Sequence, residues 1–284
     1  MPSKTTTMSK IKQLFFLSSF LMVATGAFAQ KGWEAGPWAG GAYYFGDLNT
    51  NYDLSRPNLA GGLIARYNFN TRTGLKFGIG YGQVEAADSY SDNAFERARN
   101  LSFRSNVLDA TASFEFNFLP YKHGSEYEFY TPYIFSGLAV FSFNPEAELD
   151  GQWYELRSLG TEGQFKGEEY YTVQLGLEYG VGFKVDLSYE WSLNFEISAR
   201  HLYTDYLDDV SGVYADDDQI RSLRGDIAIQ LADRSIMIDG VSDSQLGTPG
   251  TQRGNSGNND VYVFLKAGLV YYFGSLQCPT INQR

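Results

Sequence analysis

One run of residues limits the fold more than any other. From Tyr171 to Val185 the side chains alternate: Tyr171, Val173, Leu175, Leu177, Tyr179, Val181, Phe183 and Val185 fall on one side. Thr172, Gln174, Gly176, Glu178, Gly180, Gly182 and Lys184 fall on the other. A period of two is the mark of an extended strand with two unlike faces. Strands of soluble domains run to about five or six residues. A tilted strand that crosses a bilayer needs about 9–11 plus its extensions. Tyr171 to Val185 is long enough for the second and too long for the first. Its polar, glycine-rich face suits a narrow, packed barrel interior.

The pattern recurs along the chain. Trp191 to Thr204 sets Trp191, Leu193, Phe195, Ile197 and Ala199 against Ser192, Asn194, Glu196, Ser198 and Arg200. Leu108 to Phe118 sets Leu108, Ala110, Ala112, Phe114, Phe116 and Phe118 against Asp109, Thr111, Ser113, Glu115 and Asn117. Leu75 to Gly82, Leu59 to Phe69 (with Ile64 out of phase) and Val261 to Phe273 follow suit. Two segments are less clear. Trp33 to Phe45 is glycine-rich and contains Pro37, which suits a strand end or a bulge. Tyr133 to Phe143 is apolar on both faces, so its orientation stays open. That makes eight strands. The connections, roughly 46–58, 70–73, 86–100, 119–131, 144–169, 186–190 and 205–259, run alternately long and shorter. Outer-membrane barrels have this asymmetry, with short periplasmic turns and long extracellular loops, and an even strand count returns both termini to the periplasm. The expected fold is therefore all-β: an antiparallel, up-and-down transmembrane β-barrel of eight strands. Ten strands follow instead if loop 205–259 holds a hairpin, for which Asp226 to Ile238 is the candidate. A soluble sandwich is the competing architecture.

The N-terminus supplies the export route. Lys4, Lys10 and Lys12 precede an apolar run from Leu14 to Val23 and the small-x-small triplet Ala27-Phe28-Ala29. The run is too short to span a membrane as a helix, so residues 1–29 read as a signal peptide. Residues 30–273 form the barrel and 274–284 a periplasmic tail. Composition agrees, with 21 Tyr, 21 Phe and 30 Gly. Loss of the leader removes three Lys from 22 basic residues and none of the 33 acidic ones, taking the net charge from -11 to about -14. So acidic a chain is no generic nucleic-acid binder. Nothing in it calls for a cofactor.

Turning the polar faces inward collects Arg66, Lys76, Lys184, Arg200 and Lys266 with Glu34, Asp109, Glu115, Glu178 and Glu196. Charges enclosed in a narrow lumen must pair with one another. The first reading is a salt-bridged polar plug, the second an ion or proton path. Eight strands leave room for side chains and little else, which argues against a diffusion porin.

Catalytic chemistry has little to draw on. The chain has two His. Ser198 and His201 fall on opposite sides of their strand, so they cannot act as a nucleophile–base pair. His201 reads as a girdle residue and His123 as a turn residue without a partner. A lipid-modifying enzyme is disfavoured on that ground. The longest loop opens with an acidic motif, Asp205, Asp208 and Asp209, followed by Asp216, Asp217 and Asp218. Such carboxylates offer hard oxygen ligands for Ca²⁺, but the spacing is not that of the twelve-residue calcium loop. A solvated loop tip is the simpler reading. Tyr203, Tyr206, Tyr214 and Trp191 are candidates for aromatic girdles. Cys278, the single Cys, lies past the last strand in an oxidising compartment. It reads either as the handle for an intermolecular disulfide or partner contact, or as a thiol without consequence.

Several segments taken in order carry a resemblance. They are Gly41-Ala42-Tyr43-Tyr44-Phe45-Gly46-Asp47-Leu48-Asn49, Glu115-Phe116-Asn117-Phe118-Leu119-Pro120-Tyr121, Thr131-Pro132-Tyr133-Ile134-Phe135 running to Phe143-Asn144-Pro145, the acidic motif from Thr204 to Gly212, and Cys278-Pro279. In this order they resemble the PorG family, outer-membrane β-barrels of the type IX secretion system of Bacteroidota. No single motif is diagnostic, but together they span most of the mature chain. The resemblance implies a non-enzymatic protein that anchors or couples a periplasmic ring to the outer membrane. Its partners would be outer-membrane lipids, a PorK-like lipoprotein and a PorN-like ring protein, met by the periplasmic turns and the Cys278 tail. The alternative is a small adhesin or porin-like barrel that acts through its extracellular loops.

Overall fold

The computed structural model describes residues 31–240 and 245–274. The leader and the Cys278 tail lie outside the described residues. Among the described residues there are ten strands: β1 (Gly32–Phe45), β2 (Asn58–Asn68), β3 (Thr73–Ala87), β4 (Ser102–Asn117), β5 (Tyr130–Ser142), β6 (Pro145–Leu149), β7 (Gln152–Glu155), β8 (Val173–Asp186), β9 (Trp191–Leu202) and β10 (Val261–Tyr272). Eight of them close on themselves in the antiparallel order β3-β2-β1-β10-β9-β8-β5-β4, with β4 returning to β3. Closure is what lets a strand cross hydrocarbon, because every ladder N–H and C=O finds a partner and no edge is left. The pair β3–β4 runs in register from Thr73↔Phe116 to Ala87↔Ser102. Pro37 has no N–H to give, and the β1–β10 ladder passes over it while it sits opposite Leu63 of β2.

The remaining two strands are not staves. β6 and β7 form a hairpin above the barrel, and β6 extends the sheet by pairing Pro145 and Glu146 with the outer end of β4. Asp150 and Gly151 close it with φ of 51° and 80°. Asp-Gly at two positive φ values is a turn that matches the twist of a hairpin. The stretch 226–238 holds no hairpin. It opens with the helix Asp226–Ala232, which packs in the outer cap against the preceding helix Asp217–Arg224, with Ile220, Ala228 and Ala232 buried together. The ten-stave alternative therefore falls.

Side-chain direction follows the alternation. Leu63, Ile79, Leu108, Ile134, Leu138, Leu175, Val181, Phe195 and Ile197 face outward and exposed. Apolar side chains in such a continuous ring are stable only against lipid. At the end with the shorter connections, exposed and half-buried aromatics gather into a girdle, with Trp33 against Tyr67, Phe116 against Phe118 and Trp191 against Tyr271. The two ambiguous strands are resolved by what they meet inside. β5 turns Tyr133, Phe135, Ala139 and Phe141 inward, and β1 turns Glu34, Trp38, Ala42 and Tyr44 inward. Opposite these rings lie glycines. A Cβ on Gly182 would sit 2.3 Å from Tyr133 Cζ, so only glycine leaves the ring its place. The three longest connections project at one end together with 46–57, and the two tightest turns lie at the other with 118–129, the arrangement of an outer-membrane barrel.

Leu138 lies midway along β5, opposite Ala112 and Leu177, and points at the bilayer. Leu138→Arg should destabilise the folded barrel by about 2–4 kcal/mol, the cost of a cation near the midplane. Urea titration in lipid vesicles, followed by tryptophan fluorescence, measures this. An unchanged midpoint would mean that this face does not meet lipid.

Candidate functional site: an ion-filled lumen between a plug and a cap

The polar faces that point inward meet as a lattice. Arg66 on β2 donates from Nη1 to Glu34 Oε2 and from Nε to Glu115 Oε2, each at 2.7 Å. Lys184 on β8 donates to the other Glu115 oxygen at 2.6 Å. Glu196 on β9 takes Lys76 at 3.1 Å and Lys266 at 3.4 Å, and accepts from Tyr133 Oη at 2.7 Å. Further out, Arg200 donates to Asp109 at 2.8 Å and lies 3.4 Å from Glu178. All of these side chains are buried. The cations also stack on rings, with Lys76 3.0 Å from the Phe135 centroid and Arg200 4.7 Å from that of Phe264. A low-dielectric interior makes each ion costly unless it is paired and its hydrogen bonds are met. Here each cation touches at least one carboxylate. Toward the outer end the filling becomes aromatic: Trp38, Tyr44, Phe103, Phe141, Tyr262 and Phe264. Ions, rings and glycines together occupy the bore.

The inner mouth is closed by the connection between β4 and β5. Its residues 118–129 turn back into the barrel. Tyr121 and His123 are buried there, and the His123 ring stacks on Tyr272 with centroids 4.4 Å apart. His123 is thus not a turn residue without a partner. Its Nε2 is 3.0 Å from Glu34 Oε1 and its Nδ1 3.0 Å from Asp186 Oδ1, while Tyr121 donates its hydroxyl to Asp186. Burial alone would lower the imidazole pKa. The two carboxylates outweigh it and push it up to about 9.

The outer mouth is covered by a cap that the sequence reading did not foresee. All four long connections meet at two buried arginines. Arg99 chelates Asp88 with two hydrogen bonds of 2.8 Å. It also donates to the backbone carbonyls of Asp47 and Arg253, each at 2.7 Å. Arg253 donates to Glu162 at 3.1 Å and to the carbonyls of Asp209 and Ala232. The acidic motif is consumed in this cap and is not a solvated loop tip. Asp209 accepts from Thr161 and, at 2.7 Å, from Tyr170. Burial pushes its carboxyl up to about 6, with Arg253 opposing. Asp205 is pushed up to about 8 by burial, the Ser211 hydroxyl opposing and the charges of Asp47 and Glu162 adding to the rise. Tyr44 Oη lies 2.5 Å from Asp208 Oδ2 and 2.9 Å from Asp260 Oδ1. A phenol has one proton to donate, so the second contact needs a proton on a carboxyl. Both acids are held well above the usual carboxylate range, first by burial. Asp208 and Asp260 share Tyr44, Asp209 takes Thr161 and Tyr170, and both carboxyl oxygens of Asp205 are buried without a hydrogen-bond partner. Among the described residues no group of three or more His, Cys, Asp or Glu is placed to hold a metal ion.

Of the girdle candidates, Trp191 and Tyr203 are exposed, whereas Tyr214 is buried in the cap and Tyr206 stacks on Tyr170 at 4.7 Å. Ser198 faces the lumen. His201 faces outward beside Val261 at the outer end of β9, so the two do not meet.

A family model described as a domain of unknown function, DUF6089, matches residues 12–233. The chain belongs to that family. No curated protein sequence matches it. Among solved structures it is similar to Ail, the attachment invasion locus protein of Yersinia pestis, at 11% identity and a TM-score of 0.41, covering 86% of this chain and 99% of Ail. It is similar to Neisserial surface protein A at 13% identity and 0.41, covering 85% and 97%. It is also similar to OprG of Pseudomonas aeruginosa at 13% and 0.39, covering 88% and 99%. The DUF6089 chain is an outer-membrane β-barrel of eight staves with both mouths covered.

The plug carries a signed pH dependence. A His raised from 6.5 to about 9 on folding adds stability that is complete below about pH 6.5 and is lost as pH rises through 9. His123→Gln should therefore lower stability at pH 6 by up to about 3 kcal/mol and flatten the decline between pH 6.5 and 9.5. Urea midpoints across that range, compared with the unsubstituted protein, read it directly. Parallel curves for the two proteins would contradict it.

Proposed function

We propose that this barrel is a non-conducting, non-enzymatic anchor that couples a periplasmic assembly to the outer membrane, and that the assembly is the ring of the type IX secretion system. The observation that carries the first part is the filled bore. Arg66, clamped between Glu34 and Glu115, sits where a channel would need water. The 118–129 hook occupies the inner mouth behind it. A barrel so filled acts from its ends, not through its middle.

Support for the second part is the ordered resemblance to the PorG family. On that reading the inner face, made of the turns 69–72, 118–129 and 187–190, meets a PorK-like lipoprotein and a PorN-like ring protein. β10 ends at that face, and on this reading the tail 274–284 would bring Cys278 to a partner contact or an intermolecular disulfide. An adhesin acting through its loops is the second reading. It is favoured by the cap, because loops tied by Arg99 and Arg253 present a fixed outer surface.

The two readings separate in cells. Deleting residues 275–284, or replacing Lys122, Ser125 and Glu126 at the tip of the inner hook with Ala, should abolish export of type IX cargo. The barrel should stay in the outer membrane, and crosslinks to the ring lipoprotein should be lost. Normal export from both variants would discard the coupling role and leave the loops as the working surface.

A further inference from the structure

The lattice and the plug account for the inside of the barrel, and the arginine staples account for the middle of the cap. A cleft of about 800 Å³ outside both is unexplained. Its floor is the outer wall of four neighbouring staves, where Phe45, Val261 and His201 pair in a row and Tyr179 of β8 lies one step further in, opposite Ala199. Phe45, Val261 and His201 point outward just where their strands give way to loops, and Tyr179 lies below them on the same wall. Its roof is made by the β1–β2 connection, the short helix Ala94–Arg99 and the end of the β9–β10 connection. The cleft therefore opens sideways, at the depth where acyl chains end and lipid headgroups begin.

Its lining selects among headgroups. Both arginines that reach it are already spent: Arg99 on Asp88 and two backbone carbonyls, and Arg253 on Glu162 and two more. Asp47 and Glu96 add negative charge. A phosphate would find two carboxylates, no arginine or lysine to spare, and only the His201 imidazole down on the floor. What remains available is amides and rings. Gln252, Asn258 and Asn259 are exposed on the roof and make no side-chain hydrogen bond among the described residues. Tyr52 is 72% exposed and Phe95 is 43% exposed. Tyr52 also holds φ at 55°, a conformation that a non-glycine residue rarely adopts, and its ring lies 5.3 Å from that of Phe45. Strain kept at an exposed aromatic points to a use for the ring. Carboxamides paired with flat apolar rings suit sugars, which offer adjacent hydroxyls at their edges and C–H faces above and below. The volume falls in the range of a bound small ligand.

We infer that this cleft binds the neutral saccharide part of an outer-leaflet glycolipid, with the acyl chains lying against the wall below Phe45 and Val261. The membrane is the source of the sugar because the floor of the cleft is lipid-facing wall. A soluble glycan would have no reason to sit on it. The inference is independent of any ring partner.

The test uses the full-length mature protein in nanodiscs. Its probes are rough-type lipopolysaccharide with an intact core oligosaccharide, lipid A alone, and the released core oligosaccharide. The intact glycolipid should bind best, the released sugar should compete weakly, and lipid A should not compete at the same site. Combining Tyr52→Ala, Gln252→Ala and Asn258→Ala should weaken binding by at least about tenfold, the loss of a stacking face and two hydrogen bonds. Tyr52→Phe, which keeps the ring, should bind like the unsubstituted protein. All three positions are exposed loop residues, and unchanged heat-modifiable mobility on gels certifies the fold. Unaltered affinity in the triple variant overturns the inference. So does competition by lipid A equal to that of the intact molecule. Equal affinity for the free and lipid-linked sugar would overturn the membrane as its source.

Discussion

An arginine in the middle of a membrane protein must be answered by opposite charge, and most of this molecule is arranged around that need. Arg66 is held by two glutamates from two other staves, and those glutamates bring in Lys184 and His123. Glu196 is the next node, shared by Lys76 and Lys266. Every stave but β5 supplies charges that other staves neutralise, so none of those strands is at ease alone. The lattice thereby fixes stagger as well as closure: slipping one strand by a residue would send its ions to the lipid and its leucines to the bore. Removing one partner leaves the other buried and unpaired, which is why such networks are costlier to break than to replace whole.

The ends obey the same rule with different materials. At the inner mouth a loop supplies the counter-charge, His123, to acids that would otherwise face water-poor space. At the outer mouth the loops bury more carboxylates than cations, and the excess is met by protons: Tyr44 bridges Asp208 and Asp260, and the acids around them are held protonated into a higher pH range than usual. The outer surface is left with two textures. A greasy belt meets acyl chains, and a loop rim rich in amides and aromatics stands directly above it.

How much of this was legible in the chain follows from what each face meets. Where a stave has lipid on one side and ions on the other, as β8 and β9 do, the alternation is plain and names Glu178, Lys184, Glu196 and Arg200 without a structure. Where rings fill the bore, as along β5, apolar residues lie on both faces and the pattern is silent. The hairpin β6–β7 announces itself only through its turn, Asp150-Gly151, because strands of five and four residues are too short to alternate plainly. Nothing local to His123 indicates that its loop folds inward. The acidic motif is opaque for a related reason: Asp205, Asp208 and Asp209 look solvated until Arg253 and Asp260, some fifty residues on, are brought beside them. Contacts among loops have no period to betray them. Cys278 lies outside the described residues, so its role rests on the sequence.

The claim on which the account turns is that the bore is filled. Planar-bilayer recording of the purified, refolded barrel tests it most directly. At neutral pH and high salt the barrel should insert, as shown by protease protection of its staves in matched vesicles, and yet give no stepwise conductance. Steady, ohmic steps from the unsubstituted protein would mean that water and ions pass Arg66, and the sealed anchor would have to be given up for a pore.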